Sequence, residues 1–287
     1  MRSLVVLIAI VATVSLSAAK DELQVGDLVK QHLNSIGTEQ ARAAAKTRVA
    51  EGTVRFRILS GGTGDQEGKQ VFISEGRKLV TLLKLPNPSY RGERFVSDGK
   101  KTVIGNMTPG VYSNFGRFIE VHDEILTEGL WGGTLSTGWA LASFEDRHAK
   151  LHYDGLKKMN GSELHRVSYT PSKRTDLEIE LYFEPETFRH VMTTYELTIN
   201  PQLAGRERDN GQQQLTHYRL EERFSDFKQT DNLWLPGRWI VQFTSDVPRR
   251  PGSPSLAAAQ TAVTEFNTTE TSISHNVSLD PRNFEIK

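Results

Sequence analysis

The chain has 287 residues, 37% hydrophobic and 24% charged, the balance of a globular protein rather than a disordered or fibrous one. Thirty-five basic and 35 acidic residues cancel, so no cationic excess points to nucleic acid or to an anionic membrane surface. There is no cysteine, which excludes disulfides, thiolate metal sites, iron–sulfur clusters and cysteine nucleophiles, and leaves a hydrophobic core to hold the fold.

The chain opens on Met1-Arg2-Ser3, then an apolar run over 4–16, then small residues Ser17 and Ala19. That order predicts a secretory signal cleaved after Ala19, with a mature chain that does not span the membrane. The run is shorter than the roughly 20 apolar residues of a spanning helix. Residues 21–36 set Leu23, Leu28, Val29, His32, Leu33 and Ile36 near helical spacing, with Asp21 as cap and Gly37 as stop. EQARAAAKTRVA after Thr38 reads as a second helical stretch.

After Gly52 the period changes to two. Val54, Phe56 and Ile58 alternate with Arg55 and Arg57, the mark of a strand with one dry face. SGGTGDQEG is a loop, KQVFIS and RKLVTLLKL continue the strand pattern, and Asp98-Gly99 is a two-residue hairpin signal. A helical insertion interrupts at about 113–146. Phe115, Phe118, Ile119, His122, Ile125 and Leu126 recur at three and four behind a Ser113 or Asn114 cap. A Gly- and Trp-rich stretch follows, with Trp131, Leu135 and Trp139 four apart.

From residue 149 the pattern is almost all strand. Leu177, Ile179, Leu181 and Phe183 share a face, Glu-Pro-Glu-Thr turns, and Val191, Thr193, Tyr195 and Leu197 return in phase. RFSDFKQTDNLWLPGRW reads as a hairpin with its turn at 228–232, and residues 249–259 as a long loop. Pro236 has no ladder donor, so it falls at a bend. About ten antiparallel strands curl, and a sheet with one dry face needs a second layer. The fold class is therefore α+β: a strongly curved, unclosed antiparallel sheet with helices on its concave face.

No catalytic constellation assembles in the sequence. His148 and His152 lie on a strand pattern that spreads their rings by about 13 Å, and the HExxH arrangement of zinc enzymes is absent. Ser136 lacks the Gly-x-Ser-x-Gly elbow. The glycine loops lack the Lys-Ser/Thr end of a phosphate loop. The pairs Glu178/Glu180 and Glu221/Glu222 fit a solvated face. Neither metal, cofactor nor enzymatic activity is expected.

Four stretches carry a resemblance: HLNSIGTEQARAAAKTRVAEGTVRF, FVSDGKKTVIG, LYFEPETFRHVMTTYEL and FSDFKQTDNLWLPGRWIVQF. Together they resemble the periplasmic lipoprotein-carrier superfamily, the LolA/LolB-like proteins, including outer membrane lipoprotein-sorting-like proteins. Asn232 stands where that family's turn has Gly, and the Gly/Trp-rich block is additional. The resemblance implies one LolA-like domain over 20–287, located in the periplasm, that binds or carries an amphiphile: a lipid or a lipoprotein acyl chain. Its alternative is an envelope-sensing or assembly module that meets a protein partner without lipid cargo. Candidate lining residues are Val54, Phe56, Ile58, Trp131, Trp139, Leu181, Phe183, Tyr195, Trp239 and Phe243. The same residues can instead simply fill a core.

Overall fold

The computed structural model describes residues 23–107, 113–159, 161–199, 216–247 and 260–286. The signal segment, the Asp21 cap and the 249–259 loop lie outside these residues. Helix α1 (Val25–Ile36) starts at Gln24, and Thr38 caps α2 (Glu39–Ala44) by accepting from the Ala41 amide. The helical pattern ends there. Strand β1 (Thr47–Ser60) begins well before Gly52, paired from Arg48 onward with both neighbours.

The first wing continues as β2 (Asp65–Glu75), β3 (Lys78–Lys84), β4 (Glu93–Ser97) and β5 (Thr102–Asn106). The loop before β2 shrinks to four residues, 61–64. The Asp98-Gly99 hairpin also differs from expectation. It is a four-residue connection closed by the Asp98 amide on Lys101 O, with Ser97 paired to Thr102.

The insertion holds α3 (Asn114–Val121), capped by Ser113, and the one-turn α4 (Glu124–Thr127). The predicted continuous helix over 113–126 breaks at His122–Asp123. Beyond it come 3-10 turns at Gly133–Leu135 and Ala140–Ala142, so Trp131 and Trp139 are carried by turns rather than by one helix face. The second wing runs β6 (Lys150–Met159), β7 (Ser162–Thr170), β8 (Glu178–Phe183), β9 (His190–Ile199) and β10 (Thr216–Ser225). A small hairpin of β11 (Lys228–Thr230) and β12 (Leu233–Leu235) precedes β13 (Arg238–Val247) and β14 (Gln260–His275).

Twelve strands form one antiparallel sheet in the order β5-β4-β3-β2-β1-β14-β13-β10-β9-β8-β7-β6, with β11 and β12 as a separate pair. Sequence periodicity under-counted these strands. The sheet is not closed: β5 and β6 are its edges. Its curvature is visible in the packing. Phe72 on β2 and Trp239 on β13 have ring centroids 5.8 Å apart with β1 and β14 between them. Three strand spacings would separate them by about 14 Å in a flat sheet. The concave face holds one apolar core shared by α1, α3, the 124–142 segment and both wings.

The insertion is wedged tightly into this core. Gly132 (φ 75°) lets the chain pass the Phe72 ring, where an added Cβ would sit 2.7 Å from a ring carbon. Any side chain there would collide with the core as well as strain the left-handed backbone.

Candidate functional site

The ten candidate lining residues divide by position. Val54, Leu181, Phe183, Tyr195, Trp131 and Trp239 are buried inside the packed core. Trp131 donates from Nε1 to Thr81 Oγ1 at 2.9 Å and packs edge-on to Trp239, centroids 5.0 Å apart. Ile58 is half-buried at the far end of β1. Phe56 and Phe243 face a cavity, and Trp139 faces a separate crevice.

At the centre of the core stands Glu222, which solvent does not reach. Its Oε2 accepts from the Gly132 amide and from Trp239 Nε1, both at 2.9 Å, and its Oε1 accepts from the Tyr195 hydroxyl at 2.8 Å. Burial pushes this carboxyl up to about 8, against the opposing pull of those three bonds. The residue ties the insertion to β9, β10 and β13. A solvated-face reading of Glu222 therefore fails: strand phase places it inward, where only a fully bonded polar group is tolerated.

A second buried polar group joins α1 to the sheet. His32 lies at hydrogen-bond distance from Phe188 O through Nδ1, and its Nε2 accepts from Trp139 Nε1, each at 2.9 Å. Burial lowers His32 to about 4, so it is neutral near pH 7. His148 sits in a left-handed turn before β6, and His152 points to solvent beside Asp154. Among the described residues no three metal-ligating side chains come together, and no helix is long and apolar enough to cross a membrane.

The cavity at the Phe56 end of β1 measures about 170 Å³. Its wall is aromatic: Phe56 from β1, Tyr90, Phe115 from α3, Phe243 from β13 and Phe266 from β14. Phe56 touches Tyr90 and Phe266 at centroid distances of 5.3 and 5.0 Å, and Phe115 meets Phe243 and Phe266 at 5.8 and 5.5 Å. One polar cluster adjoins it. Ser113 donates to Glu93, and Tyr90 stands beside both. Burial raises the Glu93 carboxyl and the Tyr90 hydroxyl above their ordinary values. The arrangement suits an apolar chain end with a polar group beside it. Tyr90, Phe115 and Phe266 were absent from the sequence-level set. In-phase spacing with Phe56 and Phe243 could have found Phe266, but nothing local marks Tyr90.

No protein-family model and no curated protein matches the sequence. Solved structures similar to the chain are distant. The chain is similar to a LolA superfamily protein, NE2245 from Nitrosomonas europaea, at 11% identity and TM-score 0.47, covering 92% of this chain and 99% of that one. It is also similar to a DUF1329 family protein from Desulfovibrio piger, at 10% identity and TM-score 0.45, covering 91% and 97%. At such distances function has to be read from the chain's own residues.

Proposed function

We propose that this chain is an exported, non-enzymatic binder or carrier of an amphiphile in the bacterial periplasm. The observation that carries the reading is the aromatic cavity between α3 and strands β1, β13 and β14. Its size admits roughly five or six groups of about 30 Å³ each, so it takes the end of an alkyl chain rather than a whole lipid. Each methylene buried there contributes about 0.8 kcal/mol. The other core candidates then support the cavity rather than line it.

Two measurements test this. Lipid extraction and native mass spectrometry of the purified mature protein are expected to show a bound amphiphile. Ala262 is on the cavity wall, so Ala262→Trp should fill the space and lower affinity for an uncharged probe, dodecanol, at least tenfold. A lipid-free protein whose dodecanol affinity is unchanged by that substitution would overturn the proposal and favour a module that meets a protein partner instead.

A further inference from the structure

Arg48 is 4% exposed on the concave face of β1. Its Nε donates to His275 Nε2 at 2.9 Å, and its Nη1 donates to Thr134 O and Leu135 O at 2.6 and 3.0 Å. These bonds leave the Nη2 donors over. His275 is at 2.8 Å from the Asp231 carboxylate through Nδ1, so Asp231 acts on Arg48 through an imidazole ring. Among the described residues no carboxylate forms an ion pair with Arg48. Burial alone lowers the guanidinium, to about 10. A cation taken out of water without a counter-ion is costly, and an anion supplied from outside offsets that cost.

Arg48 lines a crevice of about 400 Å³ between the α1–α2 corner, β12 and the 134–142 turns, within the size range of small-molecule sites. One wall is apolar, formed by Leu33, Ile36, Trp139 and Leu233. Two other charged residues face it. Arg42 donates from Nη1 to Leu33 O at 2.6 Å and to Gly37 O, and Glu39 is exposed on the first turn of α2. Two cations against one carboxylate leave the lining with a net positive charge. Along β1, eight residues separate Arg48 from Phe56, about 26 Å at 3.3 Å per residue. The crevice is thus distinct from the aromatic cavity.

We infer that this crevice is a second binding site, for a small amphiphile with an anionic head group, carboxylate or phosphate. The head group sits on the Arg48 guanidinium, and the alkyl part lies on Leu33, Ile36, Trp139 and Leu233. Guanidinium is suited to both head groups because it offers several fixed donors to a planar or tetrahedral oxyanion.

The test uses the full mature chain carrying Ala262→Trp, so that the aromatic cavity is filled. Calorimetric titrations compare decanoate, decyl phosphate and decanol. At least one anion should bind tenfold or more tightly than decanol, and the ratio of the two anions separates a carboxylate source from a phosphate one. Arg48→Gln should weaken the preferred anion at least tenfold. Since Arg48 also holds the 134–135 carbonyls, Ala43→Trp provides an independent arm. Ala43 is an exposed wall residue, and the indole should block the crevice, with the same tenfold loss, while Arg48 stays in place. Decanol binding as tightly as both anions, or Ala43→Trp binding the anion as the parent does, would overturn the assignment.

Discussion

Glu222 illustrates how one residue sets a property of the whole fold. Its folded value near 8 lies above the ordinary carboxyl value of 4.5, so the folded chain holds a proton that the unfolded chain has released. Its contribution to stability is complete below about pH 4.5 and is lost as pH rises through 8. Glu270, raised by burial to about 7, adds the same sign at lower pH. His32, lowered to about 4, works oppositely, removing stability as pH falls below 6.5. From pH 7 to 8 Glu222 is the larger contributor, with Glu270 completing its own titration there. Denaturant titrations should show stability falling there, by up to about 1.4 kcal/mol per pH unit. Glu222→Gln should fold and lose most of that slope, leaving the smaller part due to Glu270, because the amide keeps an acceptor for Gly132 and Trp239 and offers Tyr195 a donor. A slope undiminished by the substitution would count against the assignment.

At the scale of elements, the β11–β12 hairpin does more than return the chain. Asp231 and Asn232 both have left-handed backbones, φ 50° and 63°, with Thr230 paired to Leu233 across them. This is a two-residue turn at 231–232, narrower than the expected turn at 228–232, and its backbone twist matches that of the strands it joins. Leu233 and Leu235 are buried against the helices, while Trp234 is partly exposed under the Arg189 guanidinium, 4.5 Å from its ring. Asn232→Gly should be neutral or slightly stabilising. Asn232→Val should cost about 1–2 kcal/mol, since a β-branched residue resists that backbone. The urea midpoint checks both, and an unchanged valine variant would contradict the turn assignment.

At the scale of the molecule, β14 decides the topology. It pairs with β1 over Arg48–Ser60 and with β13 over Arg238–Val247, joining the first wing to the second from more than 200 positions away along the chain. Each wing is a local meander, but the curved interior exists only once this strand is seated. Folding should therefore be slow, on the order of milliseconds to seconds, because long loops must close before the ladder forms. Stopped-flow refolding followed by tryptophan fluorescence tests this, and complete refolding in microseconds would contradict it.

Periodicity alone determined the strands whose inward positions are apolar. Val54, Phe56 and Ile58 on β1, and Leu177 to Phe183 leading into and along β8, needed no tertiary information because every second residue is greasy. The start of β1 was illegible for the converse reason. Its inward residues Arg48, Ala50 and Gly52 include no large apolar side chain, so the alternation vanishes although the ladder is intact. Inward Thr268 and Glu270 hide part of β14 in the same way. Phe56 and Phe243 were legible as inward residues, since aromatic rings in strand phase face the dry side. Only the tertiary structure decided that Trp131 and Trp239 fill the core, that Glu222 is its polar centre, and that Arg48 stands buried beside a crevice. Which apolar residues leave a gap, and which polar residues find partners, depends on distances across the sheet that strands far apart in sequence fix together.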